Sequence, residues 1–90
     1  MKIIEDKQRF VLVNDQMNEI GEITWSNAGE HMMIIDHTYV SPDYRGQQLA
    51  EKLVLNVVEK ARHDHKKIIP LCPFAKKEFD QKTDYRDVLN

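Results

Sequence analysis

The sequence predicts a small α/β (α+β) protein, in which a mixed, mainly antiparallel sheet carries a central helix and short C-terminal helices. Residues 8–40 contain three runs rich in β-branched and aromatic residues, separated by short turn signals, which favours an antiparallel meander. Residues 47–64 then repeat apolar side chains at helical spacing, and a short apolar run follows at 67–72. This order predicts that the helix and the last strand return the chain to the same sheet.

Three runs in the first half predict strands: Gln8–Val13, Glu19–Trp25 and His31–Val40. Each ends at a cluster of turn-forming residues, at positions 14–15, 26–29 and 41–43. Ile3-Ile4 predicts a further short strand that leads the meander. The central helix therefore follows the third strand, or the fourth when this leading strand forms.

The second half predicts the helices and the last strand. Apolar residues between positions 49 and 61 fall on one stripe at 3.6 residues per turn, which predicts a helix over Gln47–Asp64. The apolar run Lys67–Cys72 predicts a buried strand, in which Pro70 indicates a sheet edge or a bulge. Phe74–Phe79 and Asp84–Leu89 are two short helical patterns.

Length and charge limit the function classes. Ninety residues predict a single domain over positions 1–90. Thirteen basic and 15 acidic residues give a net charge of −2, which argues against a dedicated nucleic-acid binder. The charge is uneven, because residues 1–40 carry 3 basic and 7 acidic side chains, whereas residues 41–90 carry 10 and 8. An anionic ligand is therefore expected to bind the second half.

The chain is also expected to be cytoplasmic, with no membrane partner and no metal. No apolar run approaches the ~18–20 residues of a membrane-spanning helix, and the N-terminus lacks the apolar centre of a signal peptide. Cys72 is the single cysteine, which excludes an internal disulfide and a cysteine-based zinc site. The four histidines show no metal-ligand spacing.

The stretch from Val40 to Ala50 carries the strongest functional signal, because it leads from a strand through a loop into a helix N-terminus. A helix start exposes unpaired backbone N–H groups and the positive end of the helix dipole. Gly46 allows an anion to approach the backbone closely, and Arg45 adds a positive charge. The stretch therefore predicts a phosphate or pyrophosphate site. The alternative is an ordinary loop that leads into a helix.

The motif Arg45-x-x-Gln48-x-Ala50 resembles the Arg/Gln-x-x-Gly-x-Gly/Ala signature of the GNAT superfamily of N-acetyltransferases. Residues 36–40, the predicted central helix and residues 67–74 are similar to the minimal members of that superfamily, so the resemblance covers at least Ile35–Leu89. It implies a GNAT-like fold and acetyl-CoA as co-substrate. Two departures stand out: Gln48 replaces a customary glycine, and Lys82-Thr83 replaces a customary histidine–proline pair.

The resemblance also implies the binding residues. It places the pyrophosphate of acetyl-CoA on backbone N–H groups of Arg45, Gly46, Gln47, Gln48, Leu49 and Ala50. It aligns the pantetheine arm with the backbone of Tyr39 and Val40, in the manner of an added strand. Phe74 is expected to line the groove, although packing of its own short helix is the alternative.

Two residues are implied for catalysis. Cys72 resembles a cysteine that minimal members hold near the thioester, where it could serve as the nucleophile. His37, which matches the His-Thr pair of those members, could serve as the base. The alternatives are a buried core cysteine and a histidine that hydrogen-bonds to backbone, and the sequence leaves both open.

The expected function is therefore acetyl-CoA-dependent N-acetyl transfer to an unidentified amine of a small molecule or protein, either directly or through Cys72. Larger GNAT proteins commonly form the acceptor pocket with N-terminal helices that this sequence is not expected to supply. The acceptor site is therefore expected to be open, built by a second subunit of a homodimer, or absent. Two other classes stay open. One is a non-catalytic CoA-binding regulatory module, and the other is a small protein-interaction domain that binds no nucleotide.

Overall fold

The computed structural model describes all residues, 1–90, and places five strands in one sheet in chain order. The strands are β1 (Lys2–Glu5), β2 (Arg9–Val13), β3 (Glu19–Asn27), β4 (Met32–Val40) and β5 (Lys67–Pro70). Helix α1 (Leu49–Asp64) connects β4 to β5, and α2 (Pro73–Gln81) follows β5. Single 3₁₀ turns lie at Pro42–Tyr44 and Thr83–Tyr85.

The sheet is mainly antiparallel, as the sequence predicts. Strands β1 to β4 pair antiparallel with their neighbours, and β5 pairs parallel with β4 because α1 carries the chain back along the sheet. The leading strand is confirmed as β1, so the central helix follows the fourth strand. β5 is an edge strand, which explains how it accommodates Pro70.

One hydrophobic core joins the sheet to both helices. It combines alternate residues of the strands, among them Ile23 and Met33, with the apolar stripe of α1, including Leu53 and Val57. These four side chains are fully buried. Phe79 of α2 belongs to the same cluster. Neither helix has the length and hydrophobicity that crossing a bilayer requires.

Strand β4 contains a bulge that rearranges its faces. Thr24 of β3 pairs with His37, but its neighbour Trp25 pairs with Ile35, so Asp36 is an extra residue in β4. Without this residue, Ile35 and Val40 would point to opposite faces of the sheet. The bulge therefore lets both side chains be buried in the same core.

Some predicted boundaries are wrong. The central helix begins at Leu49 instead of Gln47, and the predicted strand over 67–72 ends at Pro70. In place of the predicted helix at Asp84–Leu89, the chain forms the 3₁₀ turn at Thr83–Tyr85 and further hydrogen-bonded turns as far as Leu89. The reason is tertiary, because the Ile68 N–H donates to the Val88 carbonyl at 2.6 Å and Leu89 forms a parallel bridge with Ile68.

Candidate functional site

The site begins where β4 and β5 separate. The two strands pair from Met32 and Lys67 as far as Ile35 and Pro70. The next two N–H groups, of Leu71 and Cys72, both donate to the Ile35 carbonyl, at 3.2 and 3.1 Å, and the chain then turns into α2. The edge of β4 beyond Ile35 therefore has no neighbouring strand and borders a gap.

Backbone groups of Thr38 and Val40 face this gap. Ser41 donates its N–H to the Ile20 carbonyl of β3 at 2.7 Å, and antiparallel pairing turns alternate residues toward alternate edges. Tyr39 therefore points its backbone toward β3, so the expectation that this backbone pairs with the pantetheine arm is wrong. A Cβ added at Gly21 of β3 would lie 2.8 Å from the Tyr39 carbonyl oxygen, in agreement with this direction. Residues 38 and 40 consequently turn their backbone polar groups toward the gap, where the Val40 carbonyl already accepts one hydrogen bond from Arg45 Nε.

A cavity of about 380 Å³ opens between the gap and the start of α1. Its walls come from β4, the following loop, the first turn of α1 and α2. The lining residues are Thr38, Tyr39, Val40, Tyr44, Arg45, Gly46, Gln48, Leu49, Ala50, Glu51 and Phe74. The structure thus brings together eight of the nine residues that the resemblance implies for the cofactor, and leaves Gln47 outside the lining.

The loop before α1 presents a continuous row of unpaired N–H groups. The backbone N–H groups of residues 46, 47 and 48 have no acceptor in the chain. Those of residues 49, 50 and 51 belong to the first turn of α1, whose first backbone bond runs from Lys52 to the Gln48 carbonyl, and no side chain caps the helix. Six successive donors therefore stand at the positive end of the helix dipole, an arrangement suited to phosphate.

Two residues of this loop have left-handed backbone conformations. Gly46 has φ of +85° and Gln48 has φ of +60°. A Cβ built at Gly46 meets no atom within 4 Å, so the cavity side of its backbone is open. For Gln48 this conformation is strained, which explains physically why glycine is the customary residue at this position.

Charge around the cavity is nearly balanced. Arg45 anchors the loop, because its Nε donates to the Val40 carbonyl at 3.0 Å, and it leaves the two Nη groups for other acceptors. Glu51 lies on the opposite side, in the first turn of α1. No three His, Cys, Asp or Glu side chains are grouped in a way that could hold a metal ion.

The α2 wall is stabilised by a charge pair. Glu78, one turn after Phe74, is the one charged side chain that is buried, and it accepts a hydrogen bond from the Lys82 ammonium. That hydrogen bond raises the pKa of Lys82, against the lowering effect of burial. Lys82 stands where the minimal members of the superfamily commonly have a histidine–proline pair. In this chain it therefore has a structural role at the end of α2.

Cys72 and His37, the two implied catalytic residues, lie on different sides of β4. Cys72 is 6% exposed and precedes α2 as its N-cap residue. Its Sγ hydrogen-bonds to Thr38 Oγ1 at 3.4 Å, and Thr38 lines the cavity whereas Cys72 does not. The His37 side chain alternates to the other face, where its ring stacks on Tyr39 with centroids 6.4 Å apart. The structure therefore does not bring His37 to the thiol.

Three residues that line the cavity were not predicted from the sequence. Thr38 could have been found by alternation, because it shares a strand face with Val40. Tyr44 is half-buried, and its hydroxyl accepts a hydrogen bond from Asn14 Nδ2 at 3.1 Å across the sheet end, a contact that no local pattern predicts. Glu51 lines the cavity because it lies in the first turn of α1.

Comparison with known families decides the relationship. The family model described as GCN5-related N-acetyl-transferase matches residues 9–88. The chain belongs to this family. The matched residues include β2 to β5, both helices and every residue of the cavity. No curated protein sequence matches the chain.

Solved structures agree with this GCN5-related fold. A GCN5-like candidate N-acetyltransferase from Staphylococcus aureus, solved by NMR, is 36% identical with a TM-score of 0.82, and the match covers 99% of this chain and 87% of that one. The GNAT-like fold predicted from the sequence is therefore confirmed.

Two larger proteins share the fold at lower identity. A GNAT family N-acetyltransferase from Escherichia coli, solved with CoA, is 22% identical, with a TM-score of 0.64 over 70% of this chain. An N-acetylglutamate synthase from Neisseria gonorrhoeae, solved with CoA and N-acetyl-glutamate, is 19% identical, with a TM-score of 0.68 over 89%. This chain spans 38% and 22% of their lengths.

Proposed function

We propose that the chain binds acetyl-CoA in the cavity between β4 and α1 and transfers the acetyl group to an amine. The observation that carries this proposal is the row of six unpaired N–H groups at residues 46–51, in a chain that belongs to the GCN5-related family. A pyrophosphate placed there accepts these hydrogen bonds at the positive end of the α1 dipole. The CoA-bound relatives support the choice of ligand.

The rest of the cofactor follows β4. From the pyrophosphate, the pantetheine arm runs along the unpaired edge and exchanges hydrogen bonds with the backbone of Val40 and Thr38, as an added strand does. Phe74, which lines the cavity, forms an apolar wall beside the arm. The thioester then arrives at the inner end of the gap, where Thr38 and Cys72 lie.

Two chemical routes are compatible with this placement. An amine can attack the thioester carbonyl carbon directly; the carbon–sulfur bond to CoA then breaks, and the CoA sulfur takes the electron pair and the proton that the amine nitrogen gives up. Alternatively, the Cys72 thiolate attacks the carbonyl carbon, the carbon–sulfur bond to CoA breaks, and the CoA sulfur takes the electron pair and a proton; the amine then removes the acetyl group. His37 lies on the other face of β4, so in this proposal it deprotonates an incoming ammonium there.

The acceptor is an amine of a small molecule or a protein, and a second copy of the chain is the proposed means of completing its site. A reducing compartment keeps the single cysteine free, so a cytoplasmic location is part of the proposal. Cys72 is buried, so a CoA-binding module that transfers nothing is the second candidate.

Two glycines allow a matched test of the binding site. Gly46 and Gly29 both have positive φ, +85° and +72°, and a Cβ on either meets no atom within 4 Å. Alanine therefore introduces similar backbone strain at both, but only Gly46 lines the cavity. We expect Gly46→Ala to weaken CoA binding about tenfold in titration calorimetry, equivalent to about one lost hydrogen bond, and Gly29→Ala to leave it unchanged.

Each result has a distinct consequence. Equal affinity in both variants places the phosphate elsewhere, and absence of CoA binding by the parent protein favours the interaction-domain alternative. Transfer is tested by incubation with acetyl-CoA and intact-mass measurement. The cysteine route is supported if the parent protein gains an acetyl group that hydroxylamine removes, and if Cys72→Ala gains none. Acetylation of an added amine by Cys72→Ala at the parent rate supports direct attack, and no transfer at all supports the non-catalytic module.

A further inference from the structure

Cys72 is held against β4 by two hydrogen bonds, one from its backbone and one from its thiol. Its backbone N–H donates to the Ile35 carbonyl at 3.1 Å, where β4 and β5 separate. Its Sγ donates to Thr38 Oγ1 at 3.4 Å. Cys72 also precedes the nine-residue helix α2, whose N-terminal dipole favours a negative charge at this point.

Thr38 is the polar side chain that the structure places against this sulfur. It lies on the cavity side of β4 and is half-buried, so it borders both the proposed thioester position and the thiol. The histidine that precedes it points to the other face and stacks on Tyr39. The chain therefore offers a hydroxyl, and not an imidazole, as the partner of Cys72.

We propose that Thr38 is a positioning residue whose hydroxyl orients the Cys72 thiol and then stabilises the thiolate. A hydroxyl has one donor and two acceptor sites, so Thr38 Oγ1 accepts from the thiol and, after rotation of its hydrogen, donates to the thiolate with the heavy atoms in place. The proton leaves to solvent. This role rests on the proposed cysteine route for its use in acetyl transfer, but the hydrogen bond itself is independent of CoA.

The test compares thiol reactivity across variants without any acetyl-CoA. The rate of Cys72 alkylation by iodoacetamide is measured against pH, with intact mass as the readout. Thr38→Val removes the hydroxyl and keeps the shape of the side chain. It is expected to move the midpoint of the pH–rate curve upward by about one unit, the tenfold effect of losing a hydrogen bond to a charged sulfur. Thr38→Ser keeps the hydroxyl and is expected to restore the parent midpoint.

The sheet also provides a matched control. Thr24 is a half-buried threonine of β3 that pairs with His37. Thr24→Val makes the same chemical change in the same sheet, and its alkylation midpoint is expected to equal that of the parent. Thr38→Ala is the second variant without a hydroxyl, used if the valine variant does not fold. Thiolate absorbance, corrected with Cys72→Ala, provides a titration that does not require reagent access.

The results separate this inference from the proposed function. The role of Thr38 is overturned if Thr38→Val or Thr38→Ala leaves the alkylation midpoint unchanged. It is also overturned if Thr38→Ser shifts the midpoint as far as Thr38→Val does. Both conclusions hold whether or not the protein binds CoA. An upward shift that serine reverses supports it, even if acetyl-CoA never labels Cys72; in that case only the cysteine route fails. If acetyl-CoA does label the parent, Thr38→Val is expected to slow labelling about tenfold at a pH below the midpoint.

Discussion

Replacing Gln48 by glycine is expected to stabilise the protein without removing a hydrogen bond. Gln48 adopts φ of +60° and ψ of +30° immediately before α1, and its exposed side chain does not cap the helix. The left-handed conformation costs an L-residue about 1–2 kcal/mol. Glycine avoids this strain, but loses about 0.5–1 kcal/mol more backbone entropy on folding. The net gain in the free energy of unfolding is therefore about 0.5–1 kcal/mol.

This gain is large enough to measure by thermal unfolding. For a domain of this size, 1 kcal/mol shifts the melting temperature by about 4–8 °C, so Gln48→Gly is expected to melt roughly 2–8 °C above the parent. In the same protein, CoA affinity is expected to stay equal or to rise, because glycine removes a side chain beside the row of N–H donors. Calorimetry with CoA measures the affinity, and circular dichroism follows the unfolding.

Two control variants separate strain from other effects. Gln48→Ala shortens the side chain but keeps the left-handed conformation of an L-residue, so no gain in stability is expected. His65 caps the other end of α1 with φ of +57°, is exposed, and lies outside the cavity lining. His65→Gly is therefore expected to raise the melting temperature by a similar amount with unchanged CoA affinity. The strain argument is refuted if Gln48→Gly is no more stable than Gln48→Ala.

Three further predictions follow from other parts of the structure. Glu51→Gln is expected to tighten CoA binding a few-fold at low salt and less at high salt, because it removes a negative charge beside the proposed phosphate site; salt-dependent calorimetry checks this. Gly21→Ala is expected to lower the free energy of unfolding by about 1–3 kcal/mol in urea, because the alanine Cβ would lie 2.8 Å from the Tyr39 carbonyl oxygen. A smaller loss would show that the β4 backbone moves to accommodate the methyl group. The Arg62 guanidinium holds the pKa of Asp87 below its ordinary value, so the stabilisation from this pair is full above the ordinary pKa and lost as pH falls through the lowered one. Asp87→Asn is therefore expected to reduce stability at neutral pH and to differ less from the parent in acid unfolding.

Much of the fold could be predicted from local patterns. The five strands appear in the sequence as short runs of β-branched, aromatic or apolar residues, and α1 appears as helical apolar spacing, because each element must bury at least one face. The end of the chain could not be predicted in this way. Residues 84–89 have helical spacing, but backbone hydrogen bonds with Ile68 and the ion pair between Arg62 and Asp87 hold them in short successive turns. Such partners are distant in sequence.

The candidate site was predictable in part. The loop from Val40 to Ala50 could be recognised because strand ends, glycine and helix starts have local signatures, and seven of its eleven residues line one cavity. The relation between Cys72 and its neighbours could not be recognised. The sequence places His37 and Thr38 side by side, and only the pairing of the strands decides which of the two faces the thiol.

The sequence by itself thus determined the order of elements, the family signature and the position of the loop that leads into α1, because these depend on spacing within about twenty residues. Tertiary structure decided which side chains meet. The extra residue at Asp36 reverses the alternation of β4. The hydrogen bonds from Leu71 and Cys72 to the Ile35 carbonyl end the pairing with β5, and the gap along β4 begins there. Both result from pairing between strands, where a shift of one residue exchanges the two faces of the sheet. For that reason Thr38, and not His37, lies against Cys72.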